Sequence, residues 1–338
     1  MPLSEGDRAF TGGILGSEPE LVYAGATSFC RRRYTRELDG IDVVVSGVPF
    51  DAATTYRPGA RLGPRAVRAA SANLAFGSVW PWNLDPFDTL AVTDWGDVVS
   101  PEGRWEPMVD AVEAHVARVA AAGARMLTIG GDHYVSLPLL RAHHARYGPL
   151  ALVHFDAHSD TWLDDHPHHG TMFRQAVDEG LVDVEHSVQV GVRTHNADDC
   201  DFAILTAPWV HLHGPIATAA YVRERVGDAR AYLSFDVDCL DPAYAPGTGT
   251  PVIGGLTTAQ AQIILWGLVA IDFVGMDVME VSPPYDHAEL TALAAATLAL
   301  DWLCLLATRK AGGGPPEFRQ GGSGRAFGGG PVPNPDRK

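Results

Sequence analysis

A chain of 338 residues has room for one large α/β unit or two ordinary domains, and it is long enough to bury a sizeable core. Its net charge of −16, from 41 acidic against 25 basic residues, argues against a general nucleic-acid or anionic-membrane binder, which needs a basic face. The four cysteines, Cys30, Cys200, Cys239 and Cys304, form no CxxC pair, which argues against a zinc ribbon or a secreted disulfide framework. Residues 1–40 show no periodicity and read as an N-terminal arm; no charged start leads into an apolar stretch, so a cytoplasmic location is expected. From residue 41 onward, short apolar runs alternate with segments of helical period. Strands are expected at 41–48, 90–95, 125–129, 150–155, 187–192, 209–212, 231–235 and 273–281. Helices are expected between them, for example at 106–122, 136–147, 216–226 and 258–269. In the first of these, Met108, Val112, His115, Val116 and Val119 recur at helix spacing, and Gly123 stops the run.

This alternation predicts one catalytic α/β domain over 41–310, a three-layer α/β/α unit with a mostly parallel sheet of about eight strands. Residues 290–307 are apolar enough to suggest a membrane span, but Asp301 and several threonines make a buried amphipathic helix the better reading. No membrane partner is expected. Residues 311–338 are rich in Gly and Pro with few apolar side chains, a composition expected to stay disordered.

Three apolar runs end in metal-ligand chemistry: Gly130-Gly131-Asp132-His133, Asp156-Ala157-His158-Ser159-Asp160, and Asp236-Val237-Asp238. Strand ends are where open parallel sheets place their sites. If the strand carries on into its loop, alternate residues point the same way, so Asp156, His158 and Asp160 would face one cavity. With His133, Asp236 and Asp238 they make two imidazoles and four carboxylates, enough for a pair of divalent ions. Oxygen and imidazole donors without thiolate favour Mn²⁺, with Fe²⁺, Co²⁺, Ni²⁺ or Zn²⁺ as alternatives. Two ions about 3.5–4 Å apart lower the pKa of a shared water and suit hydrolysis of an unactivated carbon or phosphorus centre. No P-loop is present, which disfavours phosphate esters.

With these segments, the chain resembles the ureohydrolases, the arginase and agmatinase family, and in particular the bacterial agmatinase branch. The likeness spans about 41–310 and includes Gly47-Val48-Pro49-Phe50-Asp51, Tyr56-Arg57-Pro58-Gly59-Ala60-Arg61, His169-Gly170-Thr171-Met172-Phe173 and Met279-Glu280-Val281-Ser282-Pro283. The resemblance implies that His133, Asp156, His158, Asp160, Asp236 and Asp238 hold two Mn²⁺ ions, that His169 transfers protons, and that Glu280 binds the substrate guanidinium. It also implies a homo-oligomer, a trimer or hexamer. The expected reaction is agmatine plus water to putrescine plus urea, with Asp160 passing a proton from water to the leaving amine. The segment between Asp160 and His169 carries Asp164 and Asp165 and no Lys or Arg, which suits the ammonium tail of agmatine over a carboxylate tail. The nearest alternative is a guanidinobutyrase or another guanidino-acid ureohydrolase. A single-zinc deacetylase would need fewer ligands, and a non-catalytic assembly would not need them all. The neighbouring His166 and His168 read as a solvated loop, and Cys239 as core.

Overall fold

The alternating runs fold as eight parallel strands in one sheet in a computed structural model that describes residues 7–17, 21–98, 100 and 104–316. After a single turn, α1 (Arg8–Thr11), come β1 (Val43–Gly47), α2 (Gly63–Ser71), β2 (Val92–Asp97), α3 (Trp105–Ala121) and β3 (Arg125–Ile129). They are followed by α4 (Ser136–Tyr147), β4 (Ala151–Phe155), α5 (Met172–Asp178), β5 (Val188–Val190), β6 (Ala203–Leu205) and α6 (Ala207–Val226). The last elements are β7 (Arg230–Asp236), α7 (Thr258–Trp266), β8 (Asp272–Met279) and α8 (Leu290–Lys310).

The strand order is β2-β1-β3-β8-β7-β4-β5-β6. Side chains alternate across the sheet: Val43 and Val45 of β1 face the apolar cluster that also holds Val67, Val222, Ile264 and Trp302 of α2, α6, α7 and α8. Val44 faces the other way, into a cluster with Met108 and Val112 of α3, Leu140 of α4 and Phe173 of α5. Two apolar clusters, one on each face, make the three expected layers.

One expected strand is misplaced. Residues 209–212 lie in α6, and the edge strand is β6, just upstream. Thr206 caps the helix by accepting the Trp209 N–H, and Pro208 sits in its first turn, where a missing N–H costs nothing. The helix then breaks at Gly214 (φ 83°) before Pro215, so its first half is only two turns long and its apolar spacing resembles a short strand.

The apolar helix α8 is the one described helix long and apolar enough to cross a membrane, and 83% of its most apolar window is buried inside the protein. Its Asp301 accepts hydrogen bonds from Trp82 Nε1 (2.7 Å) and Gln262 Nε2 (2.9 Å), tying α8 to α7 and to the segment before β2. The arm is docked where it is described. Tyr34 bridges to Asp94 of β2, Phe29 and Cys30 are buried, and Phe29 N–H donates to Asp94 Oδ2. Of the expected disordered tail, residues 317–338 lie outside the described part.

Candidate metal centre

Strands β3, β8, β7 and β4 are consecutive neighbours in the sheet, and the candidate residues emerge at the C-terminal ends of these four. After β3, a Cβ on Gly131 would lie 1.7 Å from the Phe50 carbonyl oxygen, so only glycine fits this close approach. Asp132 N–H donates to that same carbonyl (2.7 Å), and Asp132 Oδ2 accepts Ala53 N–H (2.7 Å). The 50–55 loop is thereby tied beside His133.

The Asp-x-His-x-Asp and Asp-x-Asp segments converge, but not by continued strand alternation. Asp156 Oδ1 accepts the His158 N–H (2.6 Å), and Asp236 Oδ1 accepts the Asp238 N–H (2.8 Å). Both are Asx turns, in which a carboxylate reverses its own backbone two residues on. Asp160 then takes a left-handed φ of 53°, which aims it back towards His133. A continued strand would instead carry Asp160 away from the sheet end.

The result is two groups of donors sharing one carboxylate. His133 Nδ1 lies 3.2 Å from Asp156 Oδ2, 3.1 Å from Asp160 Oδ2 and 3.1 Å from Asp236 Oδ2. His158 Nδ1 lies 3.1 Å from Asp156 Oδ1 and 3.2 Å from Asp238 Oδ2. Apart from His158, which is half-buried, all are buried.

The donor set fits cations. Ser234 Oγ donates to Asp277 Oδ1 (2.7 Å) and so accepts from His133 Nε2–H (2.8 Å). In the neutral ring that leaves His133 Nδ1 as the lone-pair nitrogen, without a hydrogen-bond partner amid three carboxylate oxygens. Charge in this cage must be balanced by protons or by cations. In the ion-free protein, burial would lower the His133 pKa, but Asp156, Asp160 and Asp236 raise it well above its ordinary value. His158 is likewise pushed up to about 12 against its burial, chiefly by Asp238 and Asp156. Burial and the Asp156 carboxylate push Asp160 up to about 7. Burial and the neighbouring Asp238 and Asp156 carboxylates hold Asp236 well above the usual range.

Beside the cage, Glu280 adopts φ 65° directly after β8 and is 1% exposed. Its Oε1 accepts His133 N–H (2.9 Å) and contacts His169 Nδ1 (2.8 Å), while its Oε2 has no partner. His169 Nε2 meets Thr55 Oγ1 at 2.7 Å and the Thr55 N–H at 3.2 Å. Burial opposes a charge on this ring, yet Glu280 lifts its pKa to about 9. The Thr55 N–H needs a lone pair on Nε2, whereas the shorter hydroxyl contact suits either protonation state. A cavity of about 100 Å³ opens above, walled by Thr55, His158, Asp160, Trp162, His169 and Asp236 among others.

Asp164 and Asp165 are exposed and do not line this cavity; the link is indirect, Asp164 lying 3.8 Å from His168, which does. His154, Gln189, Thr55, Ser234 and Asp277 escaped sequence reading. The period-two spacing points to His154, two residues before Asp156, when extended one step backward. No local signal marks the other four.

A profile of the arginase family matches residues 41–304. An agmatinase from Chromobacterium violaceum is 54% identical over 305 residues, covering 89% of this chain and 95% of its own. The crystal structure of a hypothetical agmatinase from Burkholderia thailandensis superposes with a TM-score of 0.89 at 55% identity, covering 90% of this chain and 99% of that one. A formiminoglutamase variant from Trypanosoma cruzi, crystallised with Mn²⁺, gives a TM-score of 0.74 at 26% identity, over 81% and 95% of the two chains. On these matches and the fold beneath them, the chain belongs to the arginase family and is a ureohydrolase, a hydrolase acting on guanidino groups.

Proposed function

We propose that this chain hydrolyses agmatine to putrescine and urea with two Mn²⁺ ions per subunit. His133, Asp156, Asp160 and Asp236 would hold one ion, and Asp156, His158 and Asp238 the other. The observation that carries this reading is the division of Asp156, whose Oδ2 faces His133 and whose Oδ1 faces His158. Mn²⁺ is supported by the mixed carboxylate and imidazole donors and by the Mn²⁺ of the formiminoglutamase relative. Agmatine is supported by the relatives named agmatinase.

Bound there, the two cations supply Lewis acidity that makes a nucleophile of water near neutral pH. Glu280 orients the substrate: its Oε1 is already engaged, so Oε2 is free to take a guanidinium N–H in a charge-assisted bond. The water oxygen bonds to the guanidinium carbon, and the bond from that carbon to the alkyl nitrogen breaks. Asp160, on the cavity wall, receives the water's proton and returns it to the departing nitrogen, which leaves as an amine rather than an amide anion. His169, between Glu280 and Thr55 on the same wall, carries protons between the cavity and solvent. Asp164 and Asp165 act on a cationic tail from the rim, through their field rather than by contact.

The catalytic unit would span 41–310, with 1–40 as an arm and 311–338 as a tail. Assembly into a homo-oligomer, which the family resemblance makes a trimer or hexamer, is supported by Leu212, Ile216 and Ile253, which are 83%, 71% and 84% exposed on α6 and the loop hydrogen-bonded to it through His211 and Gly254. The four free cysteines suit a reducing cytoplasm, where the putrescine formed would enter polyamine synthesis.

A second reading keeps the chemistry and changes the tail. Arg57 lies between the rings of Tyr56 (5.1 Å) and Tyr285 (5.2 Å), and its backbone lies beside Gly249 with Glu280, which would suit a carboxylate-tailed guanidino acid. The test is urea release by Mn²⁺-loaded protein on agmatine, 4-guanidinobutyrate, 3-guanidinopropionate and arginine at equal concentration. Preference for agmatine is expected. Preference for a guanidino acid would replace the substrate assignment, and no urea from any of the four would overturn the reaction.

A further inference from the structure

His154 is fully buried beneath the metal centre and has no part in the mechanism above. Its tautomer is fixed by its hydrogen-bonding neighbours in space. The Ser159 carbonyl oxygen accepts a hydrogen bond from Gln189 Nε2 (2.7 Å). A carbonyl can only accept, so this contact fixes which end of the Gln189 amide is the NH₂ group. The second N–H of that group meets His154 Nδ1 at 3.1 Å, which makes Nδ1 the lone-pair nitrogen and puts the ring proton on Nε2. Nε2–H lies 2.9 Å from Asp156 Oδ2 and donates to it. On the other side, Asp156 Oδ1 is held by the His158 N–H.

We propose that His154, locked in its Nε2–H tautomer by Gln189, is a positioning residue that fixes the rotation of the Asp156 carboxylate so that each oxygen serves a different cation. It rests on the reading of Asp156 as a ligand shared by the two ions. A carboxylate turns easily about its terminal bond, and two donors on opposite oxygens remove that freedom. His154 also lies close enough to His133, Asp156 and Asp160 to be counted with them as a ligand. Its tautomer argues otherwise, since the nitrogen facing the cage carries a proton. The chain closes on itself: Ser159 belongs to the same turn as His158 and Asp160, so the turn that carries the ligands also orients the amide that orients the ring.

The test is equilibrium Mn²⁺ titration of chelated protein, read as affinity and ions per chain, beside thermal melting of the chelated forms. His154→Gln keeps an N–H near the position of Nε2 and should bind two ions within a few-fold of wild type. His154→Phe should lose about 10- to 100-fold in affinity, with its chelated melting transition retained. If His154→Phe does not fold, Gln189→Met decides, because it removes the tautomer lock and leaves the ring; an affinity loss of about 10-fold is expected. Wild-type affinity in the folded His154→Phe protein, or in Gln189→Met where that variant decides, would overturn the proposal. Loss of an ion in His154→Gln would overturn it too, by making His154 a ligand. Wild-type protein that fails to bind two ions would instead overturn the metal-centre reading beneath it.

Discussion

Glu280 and Asp160 both occupy the left-handed backbone region, at φ 65° and 53°, where a residue with a Cβ is uncommon. Each is held there by its surroundings: Glu280 N–H donates to the Gly131 carbonyl, and the Asp160 carbonyl accepts Phe173 N–H. Backbone strain of this kind gathers where side-chain direction is functional. Glu280→Gln keeps an acceptor for His133 N–H and removes the charge. It should lower kcat/KM by about 10- to 100-fold, as a charge-assisted bond of ~1.5–3 kcal/mol is lost; unchanged kinetics at full metal content would remove Glu280 from the substrate site. Neutralising Asp164 and Asp165 together to Asn should raise KM for agmatine only a few-fold, and the effect should fade as salt is added. A large, salt-insensitive rise would mean direct contact that their exposed positions do not show. At this scale residue types and spacing point to the ligand set, because carboxylates and imidazoles at strand ends have few other uses. They do not show that Asx turns and a left-handed Asp160 bring the ligands together, since those depend on backbone reversal that spacing leaves open.

Among the elements, the four strands that carry candidate residues are neighbours in the sheet although far apart in the chain, β3 and β8 being separated by more than the length of four other strands and their helices. Strand existence was legible from apolar runs, and strand order was not, because pairing partners leave no mark on a buried run. The segment 209–212 shows the other failure: two helical turns between Pro208 and Gly214 are too short for period to separate helix from strand. Helix α8 carries a buried liability of its own. Burial pushes the Asp301 carboxyl up to about 6, against the hydrogen bonds from Gln262 and Trp82. A carboxyl raised in the folded state favours folding while protonated, so its contribution is present below the unfolded value of 3.8 and is lost as pH rises through about 6. Asp301→Asn should therefore flatten the fall in stability between these two values, measured by urea denaturation at steps across that range. A fall as steep as that of the wild type would place the titration elsewhere.

For the whole molecule, the surplus of acid that gives the net charge of −16 includes a buried core of it, Asp132, Asp156, Asp160, Asp236, Asp238 and Glu280, each under 5% exposed. Such a cluster is costly without cations. Chelation should lower the melting temperature and added Mn²⁺ restore it, since an ion at about 1,000 times its Kd stabilises by about 4 kcal/mol. A melting temperature indifferent to chelator would mean that protons alone suffice. Net charge argues against a basic binding face but says nothing of fold or activity, and the arm is opaque because its contacts with β2, such as Phe29 N–H on Asp94, are long-range. The most direct measurement is Mn²⁺ binding stoichiometry with urea release followed in parallel, in wild type and Asp156→Ala. The account expects two ions per chain in the wild type, urea release that follows occupancy of both, and neither tight binding nor turnover in Asp156→Ala. One ion in an active wild type, or two ions and turnover without the Asp156 carboxylate, would contradict it.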